Sequence, residues 1–193
     1  MKIVTWNSRG VKHAPFKREC RELIKMHTPN VLCFLETKAD SASTALRFLK
    51  RFRFDKDFQV PSQGMAGGLW LFWRSSSVSL EILHSSPQFM HCSLSQQQVN
   101  CLATFVYVQP HVAMKELFWA DLRSLAQNIV DSWVVLGDFN DIRTVDEASP
   151  RAMRGFVRAQ HFRERIESCG LHSLEPLGCK FTWIRKQSGR VLL

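Results

Sequence analysis

Four polar side chains stand out because each closes an apolar run. Asn7 ends TWN, Glu36 ends CFLE, and Asp138 and Asn140 end VVLGDFN. Carboxylates and primary amides are the groups a phosphodiester site needs. Mg²⁺ is hard, prefers oxygen, takes one or two carboxylates and keeps waters and substrate phosphate. Glu36 is the best single metal ligand on offer. The amides of Asn7 and Asn140 can donate to phosphate oxygens, or hold an attacking water, without adding negative charge. Asp138 can orient or deprotonate that water, or share in metal binding. Gly137 lets the backbone approach closely. In phosphoryl transfer the protein mainly supplies position and electrostatic stabilisation.

Taken singly, each residue has an ordinary structural role. Asn7 could close an Asx turn, Glu36 could favour the start of a helix, and Asp138 and Asn140 could be turn residues. Their joint occurrence after buried strands favours a site. Strands that end on one side of a sheet would gather these groups along one edge, where α/β folds commonly place ligands.

The elements that must position them are legible from periodicity. A strand is expected over 2–6 and a fully apolar one over 31–35. Between them, Phe16, Cys20, Leu23, Ile24 and His27 form one stripe of a helix over 15–27, with Pro15 in the first turn and Pro29 just past the end. A second helix is expected over 41–51, capped by Ser41 or Asp40. Strands over 54–60, 68–74, 78–83, 89–94 and 99–108 follow at the spacing of antiparallel meanders. A helix over 113–129 places Phe118, Leu122, Leu125, Ala126 and Ile129 on one face. A strand over 133–136 runs into GDFN, a loop covers 141–150, a helix over 153–169 ends at Gly170, and a short strand occupies 180–184. Strands and helices in this order indicate layered α/β packing. No Pro/Gly linker divides the chain, so residues 1–193 read as one domain.

Composition fits that reading. Of 193 residues, 45% are hydrophobic and 22% charged, as in ordinary globular chains and unlike disordered ones. The net charge of +9 favours a polyanionic partner, nucleic acid before an anionic membrane surface. None of the six cysteines is paired at CxxC spacing, which argues against a zinc knuckle or a thioredoxin-like site. Cys33 and Cys101 read as small buried hydrophobes, and a reducing compartment fits best. The opening MKIVTWNS turns polar too soon for a signal peptide, and no run reaches a membrane span of ~18 apolar residues. The expected location is the nucleus or cytoplasm, away from membranes.

The segments KIVTWNSRG, NVLCFLETK, FVYVQP, VVLGDFN and KFTW, in this order, resemble the endonuclease/exonuclease/phosphatase superfamily. GGLWLFW, SLEILHSSPQFMHCSL and RGFVRAQHFRERIESCGLHSLEPLGCKFTW look like one branch, the N-terminal endonuclease domain of plant non-LTR retrotransposon proteins. The resemblance implies a four-layer α/β/β/α sandwich of two mixed sheets flanked by helices. It also implies a single catalytic Mg²⁺ or Mn²⁺, DNA as substrate, and a reverse transcriptase in cis in the parent element. Residue by residue, it assigns metal and phosphate binding to Asn7 and metal binding to Glu36. It assigns a phosphate contact to Tyr107, the sole tyrosine, water activation to Asp138 and a phosphate contact to Asn140. Thr182 and Trp183 would line the cleft floor, although Trp183 reads equally well as a core aromatic. Arg9 and Lys38 flank the motifs and are candidate substrate contacts. With Lys12, Arg185, Lys186 and Arg190 they form a candidate basic surface, each otherwise an ordinary solvated charge. Ser8 stands where this branch commonly has Cys.

The family pattern continues to further strands and a Ser-Asp-His segment, whereas this sequence ends at Leu193. The sequence-level expectation is therefore a C-terminally incomplete domain, with its last strands missing and catalysis weak or absent. Three functions compete: a Mg²⁺-dependent DNA endonuclease, a non-catalytic nucleic-acid-binding remnant, and a phosphatase of small phosphoesters or inositol lipids. The charge and the retrotransposon-like segments weigh against the last.

Overall fold

A computed structural model of the chain describes residues 1–39, 41, 43–64, 66–147, 153–175, 177–178, 185–187 and 190–192. They form two compact units, Met1–Gln109 with Val130–Phe139, and Pro110–Ile129 with Asn140–Leu193.

The first unit holds two four-stranded sheets. One has the order β1-β2-β4-β3, built from β1 (Ile3–Asn7), β2 (Val31–Leu35), β3 (Lys56–Gln63) and β4 (Ala66–Trp73). The other has the order β5-β6-β7-β8, from β5 (Ser79–Ser86), β6 (Phe89–Gln96), β7 (Val99–Tyr107) and β8 (Trp133–Asp138). Both are mixed: β1–β2 and β7–β8 are parallel and the other pairs antiparallel. The meander expected between 78 and 108 is β5-β6-β7. Pro61 lies in β3, an edge strand, where a missing N–H does no harm.

Burial follows the two-residue period of the strands. Val31, Cys33 and Leu35 of β2 and Leu69, Leu71 and Trp73 of β4 pack with Met90, Cys92, Leu94, Ala103 and Phe105 in the core between the sheets. The alternate residues Leu32, Phe34, Trp70 and Phe72 face a second core with Phe16, Cys20 and Ile24 of α1 (Phe16–His27) and Ala45 and Leu49 of α2 (Ser43–Leu49). Both faces of β2 are covered, so VLCFL is apolar throughout. Each fully buried Leu or Phe contributes about 1.5–3 kcal/mol. Trp6 stacks on Phe16 at 5.5 Å, fixing α1 on the sheet beside Asn7. His27, the last residue of α1, is exposed, and Thr28 closes the helix in a left-handed conformation. α2 is shorter than expected and passes into a 3-10 turn, Lys50–Phe52.

Burial pushes the Cys20 and Cys92 thiols up to about 12 and raises the Cys33 thiol as well, so these behave as inert hydrophobes. Cys101 is only half-buried, contrary to expectation, because it lies near the open end of β7. All five described cysteines are free.

The second unit holds α3 (Val112–Ala126), α4 (Met153–Ser168) and a short antiparallel pair, β9 (Arg185–Gln187) with β10 (Arg190–Leu192). Phe118, Trp119 and Leu122 of α3 are buried, as are Ala159 and Phe162 of α4, with Trp119 and Phe162 edge to face at 5.8 Å. Gly170 ends α4 at φ 65°, and Leu171 N–H donates to Ile166 O as in a Schellman cap. The strand expected over 180–184 lies outside the described residues. Among the described residues no helix is long and apolar enough to cross a membrane.

Two features of the first unit have measurable consequences. Gly137 has φ 145°, and a Cβ there would lie 2.0 Å from the Val106 carbonyl oxygen. The close approach this glycine allows is to the neighbouring strand β7. Gly137→Ala should destabilise by about 3 kcal/mol, lowering Tm by roughly 6–12 °C in thermal melts. The second is a buried polar cluster on the other sheet face. Trp133 Nε1 donates to Thr104 Oγ1 at 2.8 Å, and His91 Nδ1 is hydrogen-bonded to the same hydroxyl, also at 2.8 Å. Burial, and then nearby His84, hold the His91 imidazole below its ordinary value. The folded chain therefore prefers neutral His91, while the unfolded chain takes up a proton first. This contribution is complete above pH ~6.5 and is lost as pH falls through the depressed folded value. Urea titrations across pH should show that loss in the wild type and a flatter profile for His91→Gln.

Candidate active site

Parallel pairing sets the site. β1 and β2 run in one direction with Asn7 opposite Leu35, so Asn7 and Glu36 emerge at the same edge of their sheet. β7 and β8 are also parallel, with Tyr107 opposite Asp138, so that pair emerges together at the edge of the other sheet. A hydrogen bond joins the two edges: Asn7 Nδ2 donates to Asp138 Oδ2 at 2.8 Å. The Asn7 amide is oriented from behind, because Arg9 N–H donates to Asn7 Oδ1 at 3.0 Å. Asn7 thus closes an Asx turn and reaches Asp138 at the same time.

Glu36 sits in a loop held on both sides. Ser8 N–H donates to Leu35 O, Gly10 N–H to Glu36 O at 2.8 Å and Val11 N–H to Thr37 O, extending the contact between the first two strands past their ends. From the other side Thr37 N–H donates to Gly68 O and Lys38 N–H to Gly67 O. Space there is so short that a Cβ on Gly68 would lie 2.3 Å from Thr37 Oγ1, a buried atom without a hydrogen-bond partner among the described residues.

Within this loop Glu36 has φ 53° and Lys38 φ 51°, and Arg9 beside it has φ 51°. Left-handed backbone at such residues costs of order 1–3 kcal/mol each and persists where the surroundings over-determine it, commonly at active sites. The Glu36 carboxylate pairs with Lys38 Nζ at 2.9 Å, and its side chain is 17% exposed. Lys38, expected as a substrate contact, is in this state the counter-ion of Glu36.

The donor set fits a hard cation. Glu36 supplies carboxylate oxygens and Asn7 an amide oxygen, with the Asp138 carboxylate on the Asn7 amide. Among the described residues no three His, Cys, Asp or Glu side chains converge, as a cage for a softer metal would need. One or two carboxylates with room for water is what Mg²⁺ uses.

Tyr107 is 6% exposed and belongs to the inter-sheet core at the strand end opposite Asp138. Asn140 lies in the second unit, with φ 48° and a carbonyl that accepts from Lys115 Nζ. Thr182 and Trp183 lie outside the described residues. Arg9 and Lys12 are exposed. Concavities of about 400 and 830 Å³ are present, the first at α1 and α2 and the second in the second unit. Neither is lined by Asn7, Glu36 or Asp138; Asn140 lines the second.

Sequence reasoning missed the charged groups around Asn140. A signal was present: Lys115 stands three, four and seven residues before Phe118, Trp119 and Leu122, on the apolar stripe of α3, where an unpaired ammonium would be costly.

Known proteins bear on these features as follows. The sequence model of the Endonuclease/Exonuclease/phosphatase family matches residues 4–188. An AP endonuclease from Leishmania major aligns at TM-score 0.63 and 16% identity, over 87% of this chain and 66% of its own. An AP endonuclease from Archaeoglobus fulgidus aligns at TM-score 0.64 and 16% identity, over 86% and 70%. A 3'-5' exonuclease from Neisseria meningitidis aligns at TM-score 0.60 and 20% identity, over 87% and 71%. The chain thus spans about two thirds of the length of these structures, and the likeness establishes the α/β fold with its two mixed sheets and helices. No curated protein sequence matches it. A match over nearly its whole length makes this chain a member of the endonuclease/exonuclease/phosphatase family.

Proposed function

We propose that this chain is a divalent-metal-dependent phosphodiesterase domain that cuts DNA, of the kind found at the N-terminus of plant non-LTR retrotransposon proteins. The observation that carries the reading is the Asn7–Asp138 hydrogen bond beside Glu36, on an edge built from strained but fully tied loops. The +9 charge favours a polyanion, and the retrotransposon-like segments run through both units. The family match also spans both units, and we take residues 1–193 as a single domain of that family.

Each residue has a task in this reading. Glu36 and the Asn7 amide oxygen would hold Mg²⁺ or Mn²⁺. The bound ion would supply Lewis-acid stabilisation of charge developing on the phosphate oxygens. Asp138, oriented by the Asn7 amide, would take the proton of the attacking water. Asn140 would donate to the phosphate and Tyr107 would contact it. Thr182 and Trp183 would form the cleft floor, and Arg9 and Lys38 would meet the DNA backbone. A reverse transcriptase in cis would use the nicked end.

The test is nicking of supercoiled plasmid in Mg²⁺. Asp138→Asn should slow nicking by ~10² to 10⁴, the usual loss on removing a general base. Glu36→Ala should abolish metal-dependent nicking yet leave DNA binding in place. Salt-dependent DNA binding with no nicking by the wild type would instead favour a non-catalytic remnant. Phosphate release from an inositol phosphate without affinity for DNA would favour a phosphatase.

A further inference from the structure

The GDFN turn is held by groups outside the motif. The Asn140 carbonyl accepts two charged donors, Lys115 Nζ at 2.7 Å and Arg158 Nη2 at 2.5 Å. Both cations also reach the next residue. Lys115 Nζ lies 2.7 Å from Asp141 Oδ2, and Arg158 Nε lies 2.5 Å from Asp141 Oδ1. The side chains of Lys115 and Asp141 are only 11% and 4% exposed. Two helices thus each send one cation to the same carbonyl and the same carboxylate, on either side of one peptide unit. Charge-assisted bonds of this kind are roughly twice as strong as neutral ones, and burial strengthens them further.

The arrangement falls on a residue in an uncommon conformation. Asn140 has φ 48°, left-handed backbone that Asn adopts more readily than most residues, and such conformations persist where the surroundings hold them. Among the three anchoring side chains two cations share one carboxylate, which leaves one positive charge in excess. That charge suits a phosphate ester.

We propose that Lys115 and Arg158, through Asp141 and the Asn140 carbonyl, are positioning residues that fix the Asn140 carboxamide for its phosphate contact. The proposal rests on the reading of Asn140 given above. A misplacement of about 1 Å in such a group lowers rates by ~10²-fold.

The test compares the wild type with Lys115→Met, Lys115→Arg, Arg158→Gln and Asn140→Ala, by plasmid nicking and by ¹⁵N NMR of Asn140. Lys115→Met should lower kcat by about 10- to 100-fold with KM little changed, and Lys115→Arg should restore part of it. In the Asn140→Ala background Lys115→Met should add no further loss. The Asn140 backbone and side-chain amide signals should shift and broaden in Lys115→Met. Arg158→Gln alters a half-exposed side chain and replaces Lys115→Met if that variant fails to fold. Unmoved Asn140 signals in the tested variant, or an equal loss of kcat with and without Asn140, would overturn the proposal. A wild type that does not nick overturns the nuclease reading instead, and the NMR signals then decide the anchoring alone.

Discussion

One amide joins two sheets at the place where the chemistry would occur. Asn7 accepts from the backbone two residues on, which leaves its Nδ2 only outward, toward Asp138. Both sheets owe their site-bearing edge to parallel pairs, β1–β2 and β7–β8, which deliver their last residues on the same side. Without that bond the Asp138 carboxylate would not be tied to the edge that carries Glu36. With it, the Asp138 carboxylate has a defined orientation and the amide oxygen beside Glu36 keeps a fixed place.

The loops above this edge fit that constraint. Three non-glycine residues, Arg9, Glu36 and Lys38, hold left-handed backbone, and Gly68 closes over Thr37 with no room for a side chain. Such conformations are tolerated because hydrogen bonds on both flanks of the Glu36 loop leave it no alternative. Rigidity of this kind serves phosphoryl transfer, in which placement and fixed charge do most of what a protein can do.

Much of this was legible in the sequence, and the reasons are local. Fully buried strands such as VLCFL show themselves as unbroken apolar runs, and the helical stripe from Phe16 to Ile24 shows itself by its period. Asn7, Glu36 and Asp138 were visible because a polar group at the end of such a run is conspicuous. What the sequence concealed depends on distance in the fold. The Glu36–Lys38 ion pair, between a candidate metal ligand and a candidate DNA contact, shows only in the fold. The ties from Lys115 and Arg158 to Asn140 and Asp141 cross 17 to 26 residues, and the local pattern shows only that Lys115 needs a partner, not which one. Gly137 was expected to admit a close approach, and the group that approaches is the Val106 carbonyl. Element ends moved where a backbone condition decided them, as in α2, which gives way to a 3-10 turn at Lys50 and closes at the left-handed Arg53.

The central claim is that Glu36, with Asn7 and Asp138, presents a seat for one hard divalent cation. Titrating Mn²⁺ into the ¹⁵N-labelled chain tests it directly, because the ion broadens amide signals steeply with proximity. Saturable broadening confined to amides around Asn7, Glu36 and Asp138, reversed by excess Mg²⁺, is the expected result. Broadening centred elsewhere, or none at millimolar Mn²⁺, would contradict it.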